Sequence, residues 1–161
     1  MKPTINISNK LLEYIDLGLP SGTLWKASNE PDFYTYDEAL QKFGSQLPTI
    51  HQFRELVNYC QFNWVEQVED KNYNYITEDK DILIPIHLEF IGPSGNKIFL
   101  PADGALEGEE NPVWDDMGLY WTSASVNNQK AVYMLINHIA KTSVSIEKSL
   151  RRARLSVRLV N

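Results

Sequence analysis

Six carboxylates fall within residues 101–118 (Asp103, Glu107, Glu109, Glu110, Asp115 and Asp116), with no Lys or Arg among them. Oxygen donors at that density suit two kinds of chemistry. They could hold a hard cation such as calcium, which takes about six to eight oxygens, or supply a general acid and base. The second needs a fixed separation across a cleft, and adjacent residues such as Glu109 and Glu110 do not set one. The plainer reading is an exposed acidic loop. The lone cysteine, Cys60, would need a thiolate and a neighbouring base to act as a nucleophile. His51 is on the same predicted helix but about 180° round it, so the two do not pair, and Cys60 reads as a buried structural thiol. His51, His87 and His138 sit in three different predicted elements, without the close spacing of a zinc site. The residues thus predict no catalytic set, no metal site and no cofactor.

Charge is distributed unevenly. Residues 1–129 carry 8 Lys/Arg against 20 Asp/Glu, whereas residues 130–161 carry 7 basic residues and a single acid, Glu147. Either the basic C-terminal segment is neutralised by neighbouring acidic loops, or Arg151, Arg152 and Arg154 reach a phosphate or carboxylate partner. A chain of net charge −6 is a poor match for nucleic acid. Eighteen aromatic residues, four of them Trp, exceed what a small core requires, and aromatics are favoured at recognition surfaces. No apolar run is long enough for membrane insertion. The N-terminal M-K-P-T-I-N-I-S-N-K has no apolar export signal, so the chain as written reads as cytoplasmic.

Local patterns place these groups on elements. Residues 15–25 predict a β-hairpin turned by Pro20-Ser21-Gly22. Thr35 and Glu38 form one capping box, with Gly44 placed to end the helix, and Thr49 and Gln52 form a second. Beyond the second box, Ile50, Phe53, Leu56, Val57 and Cys60 make one apolar stripe. Residues 66–81 read as a polar surface loop. Ile82, Ile84, Ile86, Leu88 and Phe90 alternate over a strand, which turns through 92–96 into Lys97–Leu100. Further strands are predicted at about 120–124, 131–137, 142–147 and 153–160. No repeat or linker interrupts the chain, so one α+β domain over 1–161 is expected.

Several blocks are distinctive: D-L-G-L-P-S-G-T-L-W at 16–25, L-P-T at 47–49, G-P-S-G-N-K-I-F-L-P-A at 92–102, Y-W-T-S at 120–123 and S-V-R-L-V at 156–160. Their order resembles the Fibrobacter succinogenes major paralogous domain family, over about residues 14–160. The resemblance implies a C-type-lectin-like fold: two helices packed on a small mixed or antiparallel sheet, long loops, and the two ends of the domain paired. It also implies a bacterial protein that is secreted or at the cell surface.

In calcium-binding lectins, E-P-N or Q-P-D and a later W-N-D hold the ion and sugar hydroxyls. Here the nearest counterparts, Glu110-Asn111-Pro112 and Trp114-Asp115-Asp116, are reordered and nearly adjacent, so binding is expected to be calcium-independent. In lectin-like receptors the outward face of the 131–137 region meets the ligand. That implies a polar-aromatic patch of Tyr133, Asn137 and the hairpin tip Asn127-Asn128, joined by Trp114 from the acidic loop. Alternatively, Tyr133 and Leu135 are covered by the long loops. The expected function is a non-catalytic ligand-binding or adhesion-type module, with a protein, a glycan or a small polar molecule as ligand. An enzyme using acidic-loop carboxylates, or a structural subunit of a surface or phage assembly, is the alternative.

Overall fold

The D-L-G-L-P-S-G-T-L-W block folds as a short antiparallel hairpin, β1 (Tyr14–Asp16) against β2 (Leu24–Lys26), with Asp16 opposite Leu24. These positions come from a computed structural model, which describes residues 13–65, 86–106, 116–139 and 143–161. Gly22 closes the turn by donating its N–H to the Leu19 carbonyl (2.9 Å) at φ 75°, a backbone angle that favours glycine. The far end of the chain returns to this hairpin. Leu24 and Asn161 exchange both backbone hydrogen bonds at 2.9 Å, and Trp25 bridges Val160.

Both helices start where their capping residues predict. Helix α1 (Tyr36–Phe43) has Thr35 as N-cap with the reciprocal Glu38 bond, and Gly44 as C-cap; α2 (Ile50–Tyr59) has the Thr49/Gln52 pair. Each box satisfies two otherwise orphaned backbone donors. Phe53, Leu56 and Cys60 of the apolar stripe are buried.

The remaining strands form two further antiparallel sheets. One is β3 (Gln61–Val65), β4 (His87–Ile91) and β5 (Lys97–Pro101); the other is β6 (Met117–Ser125), β7 (Lys130–Asn137) and β8 (Val144–Leu150). The architecture is α+β, with two helices and three small sheets among the described residues. Strand β7 is apolar on both sides for a physical reason. Met134 and Ile136 enter one core with Leu17, Trp25, Phe53 and Leu88, while Ala131, Tyr133 and Leu135 face a second with Tyr36, Leu119, Trp121 and Val157. Successive side chains of a strand point to opposite faces, so a central sheet between two cores needs apolar residues at nearly every position.

Three elements differ from expectation. Strand β3, at Gln61–Val65, forms where no element was predicted, its partner β4 lying beyond residue 85. Strand β8 runs Val144–Leu150, shifted from the expected 142–147. Residues 153–160 make no continuous ladder. Instead Arg154 bridges Leu106, Leu155 bridges Tyr34, Ser156 bridges Tyr120 in parallel, and Val160 bridges Trp25. That segment serves several neighbours in turn, so no single strand can pair along it. The polar stretch 66–81, the expected strand positions Ile82 and Ile84, and the acidic stretch 107–115 with Trp114 lie outside the described residues.

Candidate functional site

The tip between β6 and β7 is built by Asn127. Its side-chain Oδ1 accepts the backbone N–H groups of Gln129 (2.8 Å) and Lys130 (2.9 Å), an Asx-type closure that mimics a backbone turn. Arg151, just past β8, then holds this tip against α1. Its Nη1 donates to the Asn127 carbonyl (2.8 Å), its Nη2 to Asp37 Oδ1 (2.8 Å), and its guanidinium lies 4.7 Å from the Tyr36 ring centroid. The Arg151 backbone joins in, its N–H donating to the Gln129 carbonyl (2.8 Å) and its carbonyl accepting from Tyr36 (3.0 Å). A planar guanidinium that binds a carboxylate, a carbonyl and an aromatic face at once leaves little freedom on any side.

Beside this bracket is a cleft of about 590 Å³, lined by Thr35, Asp37, Asn128, Gln129, Arg151 and Arg152, with Leu150 contributing apolar surface. Asn128, Gln129 and Arg152 are exposed. Their side chains have no hydrogen-bond or ion-pair partner among the described residues. The cleft therefore offers two amides and a guanidinium to a polar molecule, on a base that Arg151 makes rigid.

The expected patch is divided between two places. Asn127 and Asn128 are at the tip, but Asn127 Oδ1 is committed to the turn. Asn137 is at the opposite end of β7, where its Oδ1 accepts from Ile139 N–H (3.2 Å). At about 3.4 Å per residue, the strand separates Asn128 from Asn137 by roughly 25–30 Å. Tyr133 lies between them, half-buried, its ring edge-on to Trp121 at 6.3 Å. Burial pushes the Tyr133 hydroxyl pKa up, and the neighbouring Glu147 carboxylate adds to the rise. Tyr133 thus packs at the margin of the second core. Trp114 lies outside the described residues.

The titratable groups have structural surroundings. Cys60 is buried, and burial first, then the Glu55 carboxylate, pushes its thiol pKa up to about 11, so it stays protonated at neutral pH. His51 is exposed on α2. His87, expected on a polar face, is instead buried, its ring edge-on to Phe99 at 4.8 Å on the neighbouring strand. His138 meets Trp64 edge-on at 5.1 Å. Among the described residues no three His, Cys, Asp or Glu side chains converge as a metal site.

Among the described residues, the basic C-terminal segment meets counter-charges on α1: Arg151 pairs with Asp37 (2.8 Å) and Arg154 with Glu38 (2.7 Å), while the acidic stretches 66–81 and 107–115, the expected partners, lie outside those residues. Sequence reasoning did not single out Arg158, which is 1% exposed. It donates from Nε to Asn29 Oδ1 (2.8 Å), from Nη1 to the Lys26 carbonyl (3.0 Å) and from Nη2 to the Phe99 carbonyl (2.5 Å). Asn29 continues the network to the Tyr120 hydroxyl (3.1 Å), which donates to the Pro101 carbonyl (2.6 Å). Asp103 is nearby; burial raises its pKa and the Arg158 charge opposes the rise. This network joins the last strand segment, the 26–29 chain, β5 and β6, so Arg158 is framework. Its position in S-V-R-L-V was the available signal, read there only as part of a closing block.

Comparison of the chain with protein-family profiles, with curated proteins and with solved structures finds no match.

Proposed function

We propose that the chain is a non-catalytic ligand-binding module of C-type-lectin-like fold, resembling the Fibrobacter succinogenes major paralogous domain. Its site in this reading is the cleft between the β6–β7 tip, the start of α1 and the Leu150–Arg152 segment. One observation carries it. Arg151 brackets a tip whose neighbours Asn128, Gln129 and Arg152 present polar groups, unengaged among the described residues, to a concave surface. Rigid support beneath a few free polar groups is how binding sites gain affinity without paying for order at the moment of contact. The closing segment paired with the first hairpin, the two capped helices and the sheet between two cores support the fold reading.

The test is a screen of the protein against glycans and cell-surface proteins, followed by two sets of substitutions. Loss of a bound ligand in Asn128→Ala/Gln129→Ala/Arg152→Ala, with retention in Trp114→Ala/Tyr133→Ala, supports the cleft. The reverse pattern moves the site to the Tyr133 face, and no binder across the screen counts against a binding module.

A further inference from the structure

Net charge −6 makes a basic surface without a counter-charge among the described residues stand out, and one runs along β8. In the antiparallel register Lys130 is opposite Leu150, and Val132 is opposite Lys148. Lys130 and Lys148 are therefore diagonal neighbours on one face, with Cα atoms about 7–8 Å apart. Arg152 is in the turn just past the end of β8. Toward the other end of the same face, Ile146 and Val144 line a second cleft of about 480 Å³ with Arg54 and Asn58 of α2.

Arg54, Lys130, Lys148 and Arg152 are all exposed and have no ion-pair partner among the described residues. Among the described residues, the nearby carboxylates are placed elsewhere. Asp37 is held by Arg151, Glu55 accepts from Ser21, and Glu147 points to the opposite face of β8 from Lys148. Between the cations lie apolar surfaces, Leu150 at 40% exposure and the half-buried Ile146. Beside them are the amides of Asn58, Asn128 and Gln129.

We propose that this strip binds a linear anionic polysaccharide laid along β8 from one cleft to the other, an inference that rests on the ligand-binding reading above. The four cations match a chain of spaced negative charges. The amides match sugar hydroxyls, and Ile146 and Leu150 match the apolar C–H faces of the rings. A flat anionic membrane fits two concave ends poorly, and an acidic peptide makes no particular use of the amides.

The probes are polygalacturonate and dextran sulfate, with fully methyl-esterified polygalacturonate and poly-glutamate as controls, each titrated at 50 and 200 mM NaCl. Counterion release from about four contacts gives a salt slope near −3, or roughly a 60-fold affinity loss over that range. The expected result is binding to at least one anionic polysaccharide with that salt loss. It should fall at least tenfold in Arg54→Ala/Lys148→Ala/Arg152→Ala, in a protein whose melting temperature is unchanged. Asn128→Ala/Gln129→Ala should weaken polysaccharide more than poly-glutamate.

Equal binding of the esterified polymer would overturn the requirement for charge while leaving a binding module in place. Poly-glutamate bound as tightly as polysaccharide would overturn the ligand class. No binding of either anionic polymer at 50 mM salt would overturn the inference altogether. The binding reading would then stand or fall on the neutral ligands of the broader screen.

Discussion

Removing Arg158 should cost this fold heavily, because it is the donor for three acceptors in a buried network. In Arg158→Met the side chain keeps its length and apolar stem, but the Asn29 amide oxygen and the Lys26 and Phe99 carbonyls lose their donor. Each buried acceptor left unsatisfied costs about 1–3 kcal/mol, and removing one member of a buried charge network costs about 3–5 kcal/mol. The two routes converge on about 4 kcal/mol. With a urea m-value of about 2 kcal/mol/M, the unfolding midpoint should fall by about 2 M, and the melting temperature by roughly 12 °C. Such a loss is a large part of the roughly 5–15 kcal/mol that a domain holds in all.

The pH dependence supplies a second readout. Burial raises the Asp103 pKa in the folded state, and Arg158 limits that rise. A carboxyl whose folded pKa exceeds its unfolded value binds its proton more tightly when folded. Its charged form therefore opposes folding above the unfolded pKa, and the penalty is relieved as pH falls through the folded value. Without Arg158 the rise is larger, so the deficit of Arg158→Met should be greater at pH 7 than at pH 5. Arg158→Met/Asp103→Asn should recover part of it at pH 7. A midpoint within about 0.3 M of the parent at pH 7, with m unchanged, would refute the reasoning.

Other substitutions probe separate links in the same argument. A Cβ at Gly92 would land on the Leu17 carbonyl oxygen, so Gly92→Ala should destabilise by about 3 kcal/mol in urea melts; Gly22→Ala, with open space around it but φ 75°, should cost only about 1 kcal/mol. Thr49→Ala removes the N-cap of α2 and should cost about 1 kcal/mol by thermal melt, with Thr49→Ser near parental. The Cys60 thiol, with its pKa pushed up to about 11, should react with a disulfide reagent at pH 8 at least about tenfold more slowly in the folded protein than in urea; equal rates would remove the burial argument. Arg151→Lys keeps a charge near Asp37 but loses the planar fork, so it should loosen the Asn127–Gln129 tip, read as faster amide exchange there, with a global cost of about 1 kcal/mol.

Features closed within a few residues could be read directly from the chain. The capping pairs Thr35–Glu38 and Thr49–Gln52 span three positions, and both form as expected. The hairpin turn at Pro20–Gly22 and the alternation through Leu88 and Phe90 also depend on neighbours, and both were legible. Asn127 shows the limit even at short range. It reads as a possible ligand contact because its type suits recognition surfaces, yet its oxygen closes the turn onto Gln129 and Lys130. Residue type alone does not say which way an amide is spent.

The rest was decided where distant segments meet. Arg151 and Arg154 find Asp37 and Glu38 across 114 and 116 positions, so no local charge pattern could assign those partners. Burial of Arg158 depends on three acceptors from two separate segments closing around it; in S-V-R-L-V the alternation alone would leave it on a polar face. Tyr133 and Asn137 share one face of β7 by sequence period, but only the covering second core and the length of the strand part them from the Asn128 tip. Periodicity reports which side of an element a residue takes. What lies on that side is set by chain closure, which brings together groups whose separation in sequence carries no trace of their contact.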